Sequence, residues 1–268
     1  DYLSEKEKSI DISMLDGFDI IMQILNQNNC KATLFVVGEI INLMKIKILE
    51  ASNNGYEIGS HGYTHKRPLL MSNDEFIDEI TKTKEILENL VNKKVIGFRA
   101  PCFSLDRDRL DIVRDSGFAY DSSRIDFGDH PLYGSIDMYG YENHSAAIFR
   151  SADFMEFEAT TLPVFGKNIP ISGGGYLRIF PWCLMKALVS QYLKQNNIYV
   201  MYVHPFELSQ LPVPVVPKST TALTKFRYSY GRCTVVDKIT KLAELLRSKG
   251  YSFTTFSEIQ QEINTKYV

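Results

Sequence analysis

Apolar residues along the chain follow two alternating spacings. Between residues 14 and 25 they recur every three or four positions, which predicts an amphipathic helix. Residues 32–37 then form a short continuous apolar run, as is typical of a buried parallel strand. The same alternation predicts strands at residues 56–59, 94–98 and 118–120 and helices that begin near residues 40, 72 and 107. Short strands that alternate with helices indicate stacked βα units.

Repeated βα units in a chain of 268 residues predict an α/β fold with a parallel sheet covered by helices. At this length, a barrel is the simplest arrangement of such units. We expect a single domain over residues 1–268. Residues 126–171 are rich in Gly, Tyr and Pro, and we interpret them as a loop-rich insertion near the working face that holds isolated short strands, such as Phe154–Phe157. Regular units resume with predicted helices at residues 181–194 and 236–248 and predicted strands at residues 198–203 and 251–255.

Charge and the length of apolar runs limit the possible partners. The chain has 30 Lys and Arg against 32 Asp and Glu, so it has no surplus of positive charge for a phosphate backbone, and we expect no nucleic acid partner. No run approaches the roughly twenty apolar residues of a membrane span. The net charge of −2 fits a neutral or mixed-charge ligand better than a polyanion. The oligomeric state stays open.

The four cysteines, Cys30, Cys102, Cys183 and Cys233, lie tens of residues apart and form no Cys-x-x-Cys pair. This spacing argues against a cysteine zinc site and against a disulfide framework. We therefore expect reduced thiols. Together with the lack of a visible targeting segment, they predict a cytoplasmic protein.

Two histidines follow the predicted strand at residues 56–59. His61 and His65 lie four residues apart, so both imidazoles can converge on one metal ion. Gly59 and Gly62 allow the tight backbone path that this convergence needs. The alternative is a pair of surface histidines in a polar loop. The position at the carboxyl end of a parallel strand, where such folds build their sites, favours a metal centre.

Three more predicted strands end in a polar side chain. These are Arg99 ahead of Pro101, Asp121, and His204 ahead of Pro205. Each could be structural by itself, because arginines pair with surface carboxylates and aspartates cap turns. Four polar groups at four strand ends favour one shared site instead.

These segments resemble the motifs of the polysaccharide deacetylases of the NodB-homology type, carbohydrate esterase family 4. The stretch from Ser60 to His65 is similar to the metal motif of the family, Arg99 with Pro101 to its third motif, and His204 with Pro205 to its last. A subgroup linked to bacterial exopolysaccharide and surface-glycan synthesis is similar in four further segments, which read KATLFV from Lys31, YDSS from Tyr120, GGGYLR from Gly173 and YVHPFEL from Tyr202.

The resemblance implies a distorted (β/α)7 barrel and the metal-dependent hydrolysis of an N-acetyl group from an amino sugar in a bacterial polysaccharide or glycan precursor. Asp1, His61 and His65 would hold a divalent ion, and zinc fits three protein ligands with an open position for water. The catalytic base would be an aspartate upstream of Asp1, outside this sequence. Arg99 would hold that carboxylate in place and keep it ionised.

The resemblance also implies roles in proton delivery and substrate contact. His204, oriented by Asp121, would protonate the departing amine. The backbone N–H of Cys102 would donate to the oxyanion. The implied sugar contacts are Pro101, Gly174, Gly175, Tyr176 and Arg178.

Two alternatives stay open at this stage. The chain could be a catalytically silent glycan-binding protein that keeps the fold and the metal but lacks the base. A deformylase or an O-deacetylase would share every residue named above. The sequence also leaves open whether the glycan is polymeric, lipid-linked or nucleotide-linked.

Overall fold

Helices and strands alternate in the structure, a computed structural model that describes residues 14–128, 130, 132–212, 221–222, 226 and 229–266. These residues divide into two compact units. The sheet unit comprises Lys31–Asn168 and the described residues from Phe253 onward. The helical unit comprises the described residues up to Cys30 and Ile169–Ser252. That the chain is one domain stays a prediction.

The elements are numbered in chain order. The helices are α1 (Asp16–Gln27), α2 (Ile41–Asn53), α3 (Asn73–Val91), α4 (Arg107–Asp115), α5 (Gly174–Ile179), α6 (Trp182–Tyr192), α7 (Pro205–Leu208), α8 (Val235–Ser248) and α9 (Phe256–Thr265). The strands are β1 (Thr33–Val36), β2 (Glu57–Ser60), β3 (Gly97–Phe98), β4 (Tyr120–Asp121), β5 (Glu142–Ser145), β6 (Ile148–Ser151), β7 (Phe154–Phe157), β8 (Thr161–Val164) and β9 (Lys167–Pro170).

The sheet unit contains a mixed sheet with the strand order β1-β2-β3-β4-β7-β6-β5. The strands from β1 to β4 and β7 are parallel, as the βα pattern predicts. β5 and β6 are antiparallel and extend the sheet beyond β7. The segment predicted to be loop-rich therefore also supplies strands. Each of these has four residues, too few to show a periodic pattern in the sequence.

Aromatic side chains fill the core of the sheet unit. Phe98, Tyr120 and Phe157 have no exposed side-chain surface. The ring of Phe256, at the start of α9, lies 4.7 Å from that of Phe157 and 5.5 Å from that of Tyr120 between centroids. Burial of such rings removes large apolar areas from water, which stabilises the packing of α9 on the parallel strands.

Local signals set the start of α3, close to its predicted position. The Ser72 side chain accepts a hydrogen bond from the Glu75 backbone N–H, and the Glu75 carboxylate accepts one from the Ser72 N–H. This reciprocal cap satisfies two backbone donors at the start of the helix. α3 is therefore a firmly defined support for the loop that carries His61 and His65.

The helical unit contains α1 and the helices from α5 to α8. Lys238 on α8 donates to the carbonyls of Leu177, Arg178 and Phe180, and so satisfies the last turn of α5. Two predicted strands are absent, since residues 251–255 have no regular structure and residues 198–203 form only an isolated bridge between Tyr202 and Gly173. No helix that the structure describes is long and apolar enough to cross a membrane.

Candidate active site

The register of the parallel strands brings the predicted residues of the sheet unit to one edge. Phe98 on β3 is opposite Ser60 on β2 and Asp121 on β4. His61 directly follows β2, and Arg99 directly follows β3. The Arg99 backbone N–H donates to the Ser60 carbonyl at 3.0 Å. The prediction that these strand ends lie together is therefore confirmed within the sheet unit.

The two histidines lie close together, and His61 has a neighbour that fixes its tautomer. The rings of His61 and His65 lie 5.0 Å apart between centroids. The Nδ1 of His61 lies 2.6 Å from the carbonyl oxygen of Arg99. Because a carbonyl only accepts, Nδ1 carries the proton and Nε2 carries the lone pair. A neighbouring carbonyl that fixes the tautomer in this way is typical of histidines that bind metal.

Glu79 on α3 holds the loop between the two histidines. Its Oε2 accepts hydrogen bonds from the backbone N–H groups of Tyr63 and Thr64, both at 2.8 Å. Its Oε1 accepts a third from the Thr64 hydroxyl at 3.0 Å. Lys82, one turn further along α3, lies over the Tyr63 ring at 3.4 Å from the centroid. The loop conformation thus depends on a carboxylate that the sequence analysis did not single out.

Replacing Glu79 by alanine is expected to weaken metal binding by about 10–100-fold, the usual effect of losing a group that orients metal ligands. The loop would lose three hydrogen bonds while both histidines remain. Titration with Zn²⁺, followed by calorimetry, measures this change. Glu85→Ala on the exposed side of the same helix is the matched control. Equal affinity in the Glu79 variant and the control would contradict this role.

The segment after β3 is rigid and partly strained. Arg99 is 9 % exposed and donates from Nε to the Ser122 carbonyl at 2.7 Å and from its terminal nitrogen to the Ser122 hydroxyl at 2.6 Å. Cys102 and Phe103 have positive φ values of 56° and 53°, which is uncommon for residues other than glycine. The roles of Cys102 as oxyanion donor, of Pro101 as sugar contact and of Arg99 as partner of a base stay predictions.

Asp121 forms a buried carboxyl pair with Glu156 on β7, its partner in the strand register. Asp121 accepts hydrogen bonds from the Ser123 N–H and hydroxyl, and Glu156 accepts from the N–H groups of Ser123 and Arg124. Burial raises the pKa of Glu156 well above its ordinary value, and the Asp121 charge raises it further. Burial also raises the pKa of Asp121. Burial and the neighbouring Asp121 charge therefore both favour the protonated, neutral form of Glu156.

The residues present fit a divalent metal only in part. His61 and His65 supply the imidazole donors that zinc prefers. Within the part of the chain that the structure describes, no group of three His, Cys, Asp or Glu side chains could hold a metal ion. Asp1, the predicted third ligand, lies outside the described residues. The two-histidine pair is therefore the portion of the predicted centre that the geometry supports.

His204 in the helical unit contacts a different carboxylate from the one predicted. Its Nδ1 lies 3.3 Å from Oε2 of Glu207, and the same oxygen accepts from the His204 backbone N–H at 2.9 Å. The assignment of Asp121 as the carboxylate that orients His204 stays a prediction, and the carboxylate that contacts His204 in the structure is Glu207. Glu207 was visible in the sequence as a Glu three residues after a residue that begins a helix, a known capping pattern.

The glycine-rich segment also has a contact that was not predicted. Arg178 is buried and forms an ion pair with Glu207, with 3.4 Å between Nε and Oε1. A Cβ atom at position 174 would lie 2.0 Å from Oε2 of Glu207. Gly174 and Arg178 therefore contact the Glu207 carboxylate, and their role as sugar contacts stays a prediction. Gly175 and Tyr176 are half-buried, and their role as sugar contacts stays a prediction.

Residues 10–120 match the family model described as polysaccharide deacetylase, so this part of the chain is a polysaccharide deacetylase domain. Residues 126–261, half of the chain, match the family model described as domain of unknown function (DUF3473), and the chain belongs to that family. The resemblance to the polysaccharide deacetylases is confirmed, and the likeness to the surface-glycan subgroup stays a prediction.

Relatives and solved structures agree with this assignment. A peptidoglycan deacetylase of Helicobacter pylori is 26% identical over 117 residues, which is 44% of this chain and 40% of the relative. A peptidoglycan-N-acetylglucosamine deacetylase of Bacillus cereus is 31% identical over 108 residues, 38% of this chain and 39% of the relative. The chain thus spans about two fifths of the length of these curated relatives.

A structure of a CE4 family pseudoenzyme from Bacillus anthracis superposes with a TM-score of 0.51 and 18% identity, and covers 93% of this chain and 62% of that one. This likeness concerns the fold alone. It confirms the predicted fold class, the distorted (β/α)7 barrel of the deacetylases.

Proposed function

We propose that the protein removes an N-acetyl group from an amino sugar in a bacterial surface polysaccharide or a glycan precursor, and that it needs a divalent metal to do so. The observation that carries this proposal is the His61 and His65 pair at the strand end, with the His61 tautomer fixed by the Arg99 carbonyl. The match to the polysaccharide deacetylase model over residues 10–120 supports it. The net charge of −2 is compatible with a neutral sugar.

The proposed chemistry assigns one task to each group. His61, His65 and Asp1 would hold the metal ion. When bound, such an ion polarises the acetyl carbonyl and lowers the pKa of a water molecule to roughly 7–9. Arg99 would hold the carboxylate that takes the proton of that water, and the Cys102 N–H would donate to the developing oxyanion.

The C–N bond breaks only if the nitrogen receives a proton, because an amine leaves poorly as an anion. His204 would supply that proton. Its Nδ1 faces Glu207, so Nε2 is the nitrogen from which the proton would move. Acetate and the free amino sugar are the products.

The second candidate function is glycan binding without catalysis. The fold likeness to a pseudoenzyme favours considering it, since that protein is described as lacking the family's activity. A deformylase or an O-deacetylase on the same scaffold would differ only in the acyl group or the linkage. All of these give distinct products in one experiment.

Acetate release from a panel of N-acetylated sugars, including chitooligosaccharides and peptidoglycan fragments, tests the function. We expect release that stops with a chelator and returns with Zn²⁺. His61→Ala and His65→Ala should abolish both metal content by elemental analysis and release, because a metal site with one imidazole binds weakly. His144→Ala on β5 is the matched control and should keep both.

Each other outcome points to a specific alternative. Release that persists with a chelator would refute the metal dependence. Sugar binding without any release would favour the silent binder. Formate release, or release from O-acetylated sugars alone, would favour the deformylase or the O-deacetylase.

A further inference from the structure

The Glu207 carboxylate lies against the histidine that we propose as the proton donor. Its Oε2 is 3.3 Å from Nδ1 of His204, and Glu207 is 2 % exposed while His204 is 48 % exposed at the side chain. A carboxylate only accepts hydrogen bonds, so this contact is a hydrogen bond when Nδ1 of His204 carries a proton. The other ring nitrogen, Nε2, is then the one that can exchange a proton with a bound molecule.

The His204 ring is also held by its neighbours. The Tyr202 ring lies 5.8 Å away in an edge-on arrangement, and the Phe206 ring lies 5.7 Å away. Two aromatic contacts and one hydrogen bond restrict the rotation of the imidazole. The side chain is therefore oriented before any substrate binds.

The Glu207 carboxylate is held from its other side. Arg178 on α5 lies 3.4 Å away between Nε and Oε1, and its side chain is 7 % exposed. The Arg178 guanidinium also lies 5.4 Å from the centroid of the Phe206 ring and donates to the Tyr230 carbonyl at 3.3 Å. An ion pair that is buried in this way fixes the position of both partners, since either one alone would be an unpaired buried charge.

The glycine at position 174 makes room for this carboxylate. A Cβ atom there would lie 2.0 Å from Oε2 and 2.6 Å from the carboxyl carbon of Glu207. At Gly175, the nearest atoms would be 3.9 Å away, which is ordinary contact. Of these two adjacent glycines, the first is thus required by Glu207 and the second is not.

A purely structural role would explain part of this arrangement. A Glu in the third position of a helix often accepts from the backbone N–H at the helix start, as Glu207 does at 2.9 Å. That role needs neither the contact with Nδ1 nor a buried arginine. The complete arrangement is better explained by control of the imidazole.

We propose that Glu207 is the positioning residue of His204, and that Arg178 and Gly174 hold the Glu207 carboxylate in place. This inference rests on the proposed function, in which His204 protonates the departing amine. It assigns to this ion pair the task that was predicted for Asp121.

Two substrates with different leaving groups test the proposal. An N-acetyl amine needs a proton to leave, whereas 4-nitrophenyl acetate releases a stable phenolate without one. We expect Glu207→Gln to lower the rate on the amide by about 10–100-fold, part of the usual share of general acid catalysis, and to change the rate on the ester by less than about 3-fold. Glu244→Gln on the exposed side of α8 is the control and should change neither rate.

A double variant shows whether Glu207 acts through His204. In a His204→Ala background, Glu207→Gln should cost less than about 2-fold more, because the histidine it orients is gone. Equal losses on the amide and the ester, or additive losses in the double variant, would show that Glu207 only stabilises the fold and would overturn the proposal.

A spectroscopic measurement does not depend on activity. In protein labelled with ¹⁵N-histidine, the signals that disappear in His204→Ala identify His204, and they should show the proton on Nδ1. Glu207→Ala and Gly174→Ala should lose this pattern, and Gly175→Ala should keep it. If the parent protein hydrolyses neither substrate, the proposed function fails. The proposed contact fails separately if Nδ1 of His204 carries no proton in the parent.

Discussion

Replacing His204 by alanine is expected to lower the rate of acetate release from N-acetyl sugars by about 10²–10⁴-fold, the usual contribution of a general acid. This corresponds to about 3–5 kcal/mol of transition-state free energy. The imidazole is about half exposed at its side chain, and its Nδ1 contacts Glu207, so the proton of the charged imidazole would leave from Nε2. Without it, the amine would have to leave as an anion or take its proton from water.

The measurement is kcat at saturating substrate together with elemental analysis of the purified variant. The metal content should equal that of the parent, because His204 is not among the predicted metal ligands. His144→Ala should keep the parent rate. A His204 variant that retains the parent rate would remove the general acid assignment, and one that loses its metal would place His204 among the ligands instead.

The sequence predicted the part of the site that local order determines. His61, Arg99 and Asp121 each follow or end a short apolar strand, and parallel pairing necessarily brings such strand ends to one edge. The pairing of these strands could be inferred because each is a separate apolar run between two helices. The same separation of apolar runs allowed helices and strands to be told apart in the sequence.

The partners of these residues depend on contacts that are distant in the sequence. Asp121 was expected to orient a histidine, but β7 pairs beside β4 and brings Glu156 next to it from 35 residues away. A glutamate within the apolar strand Phe154–Phe157 is the signal that was available, because a charged side chain in a buried strand needs a specific partner. The sequence alone does not reveal which partner.

The glycine-rich segment shows a similar limit. A run of glycines indicates that something approaches the backbone closely, but it does not say what approaches. The prediction was a sugar, whereas in the structure the carboxylate of Glu207 lies against Gly174. Composition and spacing carry no information on that contact, which is formed across 33 residues of sequence.

The buried carboxyl pair should respond asymmetrically to substitution. Asp121→Asn is expected to lower the free energy of unfolding by about 1–3 kcal/mol, the cost of leaving buried polar groups without suitable partners. Both Asp121 oxygens accept, one from the Ser123 N–H at 2.9 Å and one from the Ser123 hydroxyl at 2.8 Å. In the asparagine variant, the amide nitrogen would face either the Ser123 N–H or the Ser123 hydroxyl, and both are donors. The hydroxyl could accept from the amide nitrogen only if it no longer donated at this position.

Glu156→Gln should be tolerated, because burial and the Asp121 charge favour the neutral form of Glu156, which an amide resembles. The glutamine oxygen can accept from the Ser123 and Arg124 N–H groups as the carboxyl does now, at 3.0 and 2.8 Å. Its nitrogen brings a donor and no negative charge beside Asp121. Urea unfolding of both variants near neutral pH measures the difference. Glu85→Gln and Asp74→Asn, both on exposed positions of α3, are the controls for the same chemical changes.

The free energy of unfolding of Glu156→Gln, relative to that of the parent, should increase as the pH rises. Folding raises the pKa of Glu156 above its ordinary value of 4.5, so the folded parent binds this proton more tightly than the unfolded chain does. The resulting stability is fully present below that value and is lost as the pH rises through the raised pKa. The glutamine variant has no proton to lose there, and its stability should therefore fall less between about pH 5 and about pH 9. An equal fall in the stability of both proteins would place the proton elsewhere. A larger loss of stability for Glu156→Gln than for Asp121→Asn would do the same, because an amide replaces a carboxyl group well only where that group holds the proton.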